Sequence, residues 1–167
     1  MTFTEFIASI FTGNNLALAG AALASIVAGM GSAKGVGMVG EASSALMMDD
    51  PSKFGKALIL QALPGTQGIY GLITAFVIIL KMGLLGTPVT LTLGEGAFLL
   101  FAAMPIAFVG YFSAIKQARV AVTGITLIGK HPGEVGKAIT ASALVETYAI
   151  FALLVSLLPI LFFNPGV

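Results

Sequence analysis

Pro51-Ser52-Lys53-Phe54-Gly55-Lys56-Ala57 is answered, from position 132 onward, by Pro132-Gly133-Glu134-Val135-Gly136-Lys137-Ala138. The same offset of 81 residues relates Ser32-Ala33 to Ser113-Ala114, Ala62-Leu63 to Ala143-Leu144 and Thr66 to Thr147. Recurrence at one fixed spacing marks an internal repeat, and it decides how the rest of the chain is read. Each copy consists of an apolar stretch, a short loop and a second apolar stretch, which together describe a helical hairpin. Two crossings separate equivalent points, so the copies run in the same direction. This is a parallel repeat, unlike the inverted repeats of many secondary transporters. The expected division is residues 1–86 for the first hairpin and 87–167 for the second.

Composition names the solvent. Hydrophobic residues make up 57% of the chain and charged residues 9%, and the mean hydropathy is +1.04. What remains cannot cover a water-facing surface, so an all-α membrane protein is expected. A crossing needs about 20 mostly apolar residues, and four stretches supply them, at about 16–46, 57–80, 96–128 and 138–163. The first and third exceed the minimum and should project beyond the hydrocarbon. Asp50 is placed to cap a helix that has Pro51 at its first position. Gly129-Lys130-His131-Pro132-Gly133 closes the second hairpin, and Gly86-Thr87-Pro88 marks the link between hairpins. The chain has no cysteine, which excludes disulfides and thiolate metal sites. A formal charge of +1, with no basic tract, gives nucleic acid nothing to bind. Met1 to Phe11 carry Glu5 and neither Lys nor Arg, the wrong flank for a cleaved secretory signal, so the whole chain is kept.

Orientation is read from the cations. Lys53, Lys56, Arg119, Lys130 and Lys137 lie near the two hairpin loops, and the opposite side has little beyond Lys81. The hairpin loops are therefore expected in the cytoplasm and the Phe-rich termini outside. Lys34 and Lys116, deeper in the chain, are expected to snorkel toward the cytoplasmic headgroups.

Glu146, in Leu144-Val145-Glu146-Thr147-Tyr148-Ala149-Ile150, lies far inside an apolar run. A carboxylate in lipid costs several kcal/mol unless it is protonated, paired or bound to a cation, which makes it the leading candidate for function. In the repeat it aligns with Gly65, so only the second hairpin carries the acid. At comparable depth in the second span, Leu63, Thr66, Gln67 and Tyr70 fall at helical spacings of three and four and share a face. Pro64 frees the carbonyl of Leu60, and distortion around it makes neighbouring carbonyls, including Leu63, available as ligands. Gln117 lies one turn from Ser113 in the third span. Each polar residue alone is equally a bond between helices. Together with Glu146 they form an oxygen-rich set suited to a hard cation.

Other patterns carry less. Gly35-Val36-Gly37-Met38-Val39-Gly40 matches a dinucleotide-binding turn, but it sits inside an apolar helix where that turn cannot form. Ala17, Ala21, Ala24, Ala28, Gly31 and Gly35 form a small-residue stripe, and Ala103, Ala107, Gly110, Ala114, Ala118 and Ala121 form another. Such stripes let backbones approach closely, so these spans are expected to pack tightly in an assembly, with a monomer leaving the surfaces unsatisfied. His131, the only histidine, is assigned no role. The chain offers no Ser/His/Asp or Cys/His set, and its loops are too short for a nucleotide site, so catalysis is not expected.

The segments Gly31-Ser32-Ala33-Lys34-Gly35-Val36-Gly37-Met38, Phe54-Gly55-Lys56-Ala57-Leu58-Ile59-Leu60-Gln61, Leu63-Pro64-Gly65-Thr66-Gln67-Gly68-Ile69-Tyr70-Gly71 and Val145-Glu146-Thr147-Tyr148-Ala149-Ile150 closely resemble the K subunit, or proteolipid, of bacterial V-type ATPases. Thr66 and Gln67 with a single second-half Glu look like the sodium-translocating branch. The resemblance implies four transmembrane helices as a double hairpin, assembled into a homo-oligomeric rotor ring in a bacterial cell membrane. ATP hydrolysis would occur on other subunits. It also implies Glu146 as the ion-carrying carboxylate, Thr66, Gln67, Gln117 and the Leu63 carbonyl as Na+ ligands, and Tyr70 as a hydrogen-bond donor that locks Glu146. The implied partners are a stator subunit with an essential Arg, central-stalk subunits at the cytoplasmic loops, and membrane lipid. No organic cofactor is implied. Lys116 beside Gln117 and a long Phe-rich C-terminus ending Asn164-Pro165-Gly166-Val167 depart from the pattern. The alternatives are a proton-carrying rotor subunit of the same family and a non-rotary pore or structural four-helix protein.

Overall fold

The computed structural model describes residues 1–166, which contain helices and no strand. Six α-helices follow in order: α1 (Phe3–Ile10), α2 (Gly13–Asp49), α3 (Phe54–Ala62), α4 (Thr66–Lys81), α5 (Leu93–Lys130) and α6 (Val135–Phe162). Single 3₁₀ turns at Pro51–Lys53, Leu63–Gly65 and Pro132–Glu134 extend or join them. Four segments are long and apolar enough to cross a membrane: Gly13–Asp49, Pro51–Lys81, Leu93–Lys130 and Pro132–Phe162. The protein is an integral membrane protein. All four spans begin earlier than 16, 57, 96 and 138: the second and fourth because a helical turn already starts at Pro51 and Pro132, the first and third because Thr12 and Thr92 cap their helices at Gly13 and Leu93. At Pro51, Asp50 caps that turn, with its Oδ1 accepting the Ser52 N–H at 3.0 Å and the Ser52 hydroxyl at 2.6 Å. The Ser52 hydroxyl, followed by Lys53, holds the Asp50 carboxyl below its ordinary range.

Helix α2, with 37 residues, and α5, with 38, lie side by side and parallel, and their small-residue stripes form the seam. All twelve stripe residues are buried within the single chain. This corrects the expectation that a monomer leaves the stripes unsatisfied: they face one another, because only residues without bulk let two long helices meet backbone to backbone. Gly31 shows how close the approach is, since a Cβ there would stand 2.5 Å from Tyr111 Cα. Large apolar side chains such as Ile26, Phe76, Phe101, Phe112 and Phe151 point outward, as expected where the solvent is lipid.

Cations stitch the helix ends. Lys53 Nζ donates to the Gly129 carbonyl at 2.8 Å, and Lys56 Nζ to the Pro132 carbonyl at 2.9 Å, so the first hairpin loop grips the second. At the other end Lys81 Nζ donates to the Leu161 and Phe163 carbonyls, both at 2.8 Å. Carbonyls of the last helical turn have no partner within the helix, and an ammonium group there meets both the hydrogen bond and the dipole. Asn14 closes that same end, donating to the Val89 carbonyl at 2.8 Å and accepting from Leu91 N–H at 2.9 Å. Within α5, Pro105 interrupts the ladder, and Ser156 Oγ of α6 accepts the Ile106 N–H at 3.1 Å.

Candidate cation site

The break in the second span positions the site. At Leu63–Gly65 the α-helix tightens into one 3₁₀ turn around Pro64, and α4 starts afresh at Thr66. A new helix start exposes backbone N–H groups that need partners. Ser32 Oγ of α2 takes the Gly68 N–H at 2.7 Å. The first turn of α4 is thereby pinned against α2, and Gln67, one residue earlier, is completely buried.

Gln67, Gln117 and Glu146 form a chain of hydrogen bonds across three helices. Gln67 Nε2 donates to Gln117 Oε1 at 2.6 Å, and Gln117 Nε2 donates to Glu146 Oε2 at 3.2 Å. Tyr70, one turn beyond Gln67 on α4, donates its hydroxyl to Glu146 Oε1 at 2.6 Å. Both carboxylate oxygens thus receive a donor, the arrangement that a carboxylate accepts. Ser113 Oγ supports the group from below, 3.5 Å from Gln67 Nε2 and donating to the Val145 carbonyl at 3.1 Å. Ser142 Oγ on α6 donates to the Gln117 backbone carbonyl at 3.4 Å.

One atom is left over. Gln67 Oε1 is buried and has no hydrogen-bond partner, one of two such side-chain atoms among the described residues, the other being Ser43 Oγ elsewhere on α2. An orphaned acceptor in low dielectric costs about 1–3 kcal/mol unless something positive meets it. Glu146 and this oxygen belong to one hydrogen-bonded cluster, so the donor set fits a cation.

Of the residues expected at the site, Gln67, Gln117, Glu146 and Tyr70 come together directly. Thr66 and Leu63 flank them and bond to each other: the Thr66 hydroxyl donates to the Leu63 carbonyl at 3.0 Å, and the Thr66 N–H also points there. The Leu63 carbonyl thus already has two donors. Lys116 is exposed, and Gln117 beside it is fully buried, so the two side chains leave α5 in different directions. Ser32 and Ser142 are not among the site residues expected from sequence. A signal for Ser32 exists, because it is the repeat counterpart of Ser113. A signal for Ser142 exists too, because it lies four residues before Glu146, one helical turn along the same face.

The family model of the ATP synthase C subunit matches residues 19–78 and again residues 100–158. The chain is 49% identical over 140 residues to the V-type sodium ATPase subunit K of Enterococcus hirae, covering 84% of this chain and 86% of that protein. It is 38% identical over 143 residues to the A-type ATP synthase subunit K of Methanocaldococcus jannaschii, covering 86% of this chain and 60% of that longer protein. With a family model matched in both halves and a relative aligned along nearly the whole length, the chain belongs to the ATP synthase C-subunit family.

Proposed function

We propose that this chain is the Na+-carrying rotor subunit of an ATP-driven ion-translocating complex, with no catalytic role of its own. Copies form a closed ring in the membrane, and each carries one ion at Glu146. ATP hydrolysis on other subunits turns the ring. The relative named as a sodium ATPase subunit supports the cargo. The observation that carries the reading is the unpaired Gln67 Oε1 in the same hydrogen-bonded cluster as Glu146, linked to it through Gln117.

In this reading Gln67, Thr66, Gln117 and Glu146 supply oxygens to Na+, and the Leu63 carbonyl joins them when the Thr66 hydroxyl turns away. A dehydrated sodium ion needs several oxygens to replace its water, whereas a proton needs only the carboxylate. Tyr70 and the Gln117 amide orient Glu146. With Na+ bound the site is neutral and can face lipid. A fixed Arg on the stator competes for the carboxylate and releases the ion into an aqueous path. The hairpin units 1–86 and 87–167 present their loops to central-stalk subunits on the cytoplasmic side, with the termini outside, in a bacterial cell membrane. Since Gly65 replaces the acid in the first unit, each chain carries a single ion.

The test is carbodiimide labelling of Glu146 in native membranes, since the reagent attacks the protonated acid. Sodium should protect, and less should be needed as pH rises. Labelling indifferent to sodium at neutral and alkaline pH overturns the sodium assignment in favour of a proton. Absence of any labelling at Glu146, together with a stable monomer in mild detergent, overturns the rotor reading.

A further inference from the structure

Helix α1 (Phe3–Ile10) belongs neither to the core nor to the cation site, and no residue in it is buried. It lies outside the matched family segments, which begin at residue 19. Its apolar residues Phe3, Phe6, Ile7 and Ile10 fall at positions i, i+3, i+4 and i+7, one continuous stripe, while Thr4, Glu5, Ala8 and Ser9 occupy the opposite side. The helix is built deliberately. Thr2 and Glu5 form a reciprocal capping box at its start, with the Thr2 N–H donating to Glu5 Oε2 at 2.7 Å. At its end Asn15 Nδ2 donates to the Ser9 and Ile10 carbonyls at 3.3 and 2.9 Å. Asn15 sits in the first turn of α2, so α1 is held against the start of the first span at the end away from the hairpin loops.

We propose that α1 lies along the membrane–water interface on that side, with Phe3, Phe6, Ile7 and Ile10 in the acyl-chain boundary, and that its partner is the lipid surface itself. Continuity commits the stripe to lipid. A groove of about 450 Å³ runs from Ile10 and Phe11 past Leu16 onto Leu18, Ala19 and Ala22 of α2, the outward-facing flank of a membrane span. The stripe reaches that flank through Ile10 and Phe11, and apart from Asn15 the residues lining the junction are apolar. The helix carries no Lys or Arg, and Glu5 is its only charge. Its attachment is therefore hydrophobic, and it does not depend on anionic lipid or low salt as a basic amphipathic helix does.

The chain contains no tryptophan, so single-Trp variants of the full-length protein in lipid vesicles report each face separately. Phe6→Trp and Phe3→Trp probe the stripe, and Ser9→Trp and Thr4→Trp the other side. The stripe probes should emit at shorter wavelength and be quenched by acyl-brominated lipid about twofold or more above the outer probes, which iodide should quench instead. The ordering should be the same in zwitterionic and anionic vesicles and at high salt. Stripe probes quenched by iodide as strongly as the outer ones overturn the proposal and place α1 in water. Stripe probes shielded from both quenchers also overturn it, and assign the stripe to a neighbouring copy of the chain.

Discussion

Gln117→Leu tests the site at its hub. Gln117 is 0% exposed, accepts from Gln67 at 2.6 Å and donates to Glu146 at 3.2 Å. Leucine is close in volume but has neither function. After the change Gln67 Nε2 retains only Ser113 Oγ at 3.5 Å, a weak contact, and Glu146 Oε2 loses the donor recorded for it, while Tyr70 still holds Oε1. Losing one such partner costs about 1–3 kcal/mol. At about 1.4 kcal/mol per factor of ten, Na+ affinity should fall roughly tenfold or more. The assay is the sodium concentration that half-protects Glu146 from carbodiimide at fixed pH. Labelling itself persists, because the titrating carboxyl is still present. Gln61→Leu on α3, outside the hydrogen-bonded cluster, should leave half-protection unchanged. If Gln117→Leu forms a normal complex and its half-protection stays within about twofold of the parent, Gln117 contributes neither a ligand nor useful orientation, and the reasoning fails.

Four further outcomes follow from the same geometry. Glu146→Gln should abolish ATP-driven Na+ uptake while leaving the helical fold intact by circular dichroism; uptake near the normal rate would remove the carboxylate from the mechanism. Tyr70→Phe deletes the 2.6 Å donor to Glu146, a charge-assisted bond of about 1.5–3 kcal/mol, so bound sodium should exchange about tenfold faster or more in a ²²Na release experiment. Gly31→Ala places a methyl group 2.5 Å from Tyr111 Cα, whereas Gly37→Ala meets nothing within 4 Å; the first should lose about 1–3 kcal/mol in detergent unfolding and the second almost nothing. The Asp50 carboxyl is held below its ordinary value of 3.8, so its contribution to loop stability is present above that pH and is lost as pH falls through the lower folded-state value. Asp50→Asn, which keeps a capping side chain, should therefore lower the thermal midpoint slightly at pH 7, and the difference from the parent should vanish in strong acid.

Much of the fold was legible because lipid imposes a rule on sequence that water does not. A spanning segment must be long, apolar and helical, so four stretches and a repeat offset of 81 residues sufficed for four spans. Helix-stopping residues located the loops, although the turns at Pro51 and Pro132 lengthen the spans beyond the apolar runs. The intramembrane acid was legible for the same reason, since Glu146 has no business in hydrocarbon without a partner. Helix α1 is not legible in this way, because eight residues with one charge are too short to register as a span, and its caps act through side chains rather than hydropathy.

The sequence by itself determined the solvent, the number of spans, the duplication and the lone carboxylate, because each is a property of composition or spacing along one chain. Only the tertiary structure decided which surfaces meet. It turned the two small-residue stripes toward each other within one chain, a pairing that two stripes of the same periodicity do not specify. It set Lys53, Lys56 and Lys81 on carbonyls 76 to 82 residues away, where sequence could read them only as charges. It also ordered the polar residues, with Tyr70 and Gln117 donating to Glu146 and Gln67 Oε1 left unpaired. Hydrogen bonds depend on distance and direction between side chains on different helices, and helical periodicity fixes a side chain's face but not the neighbour it will meet.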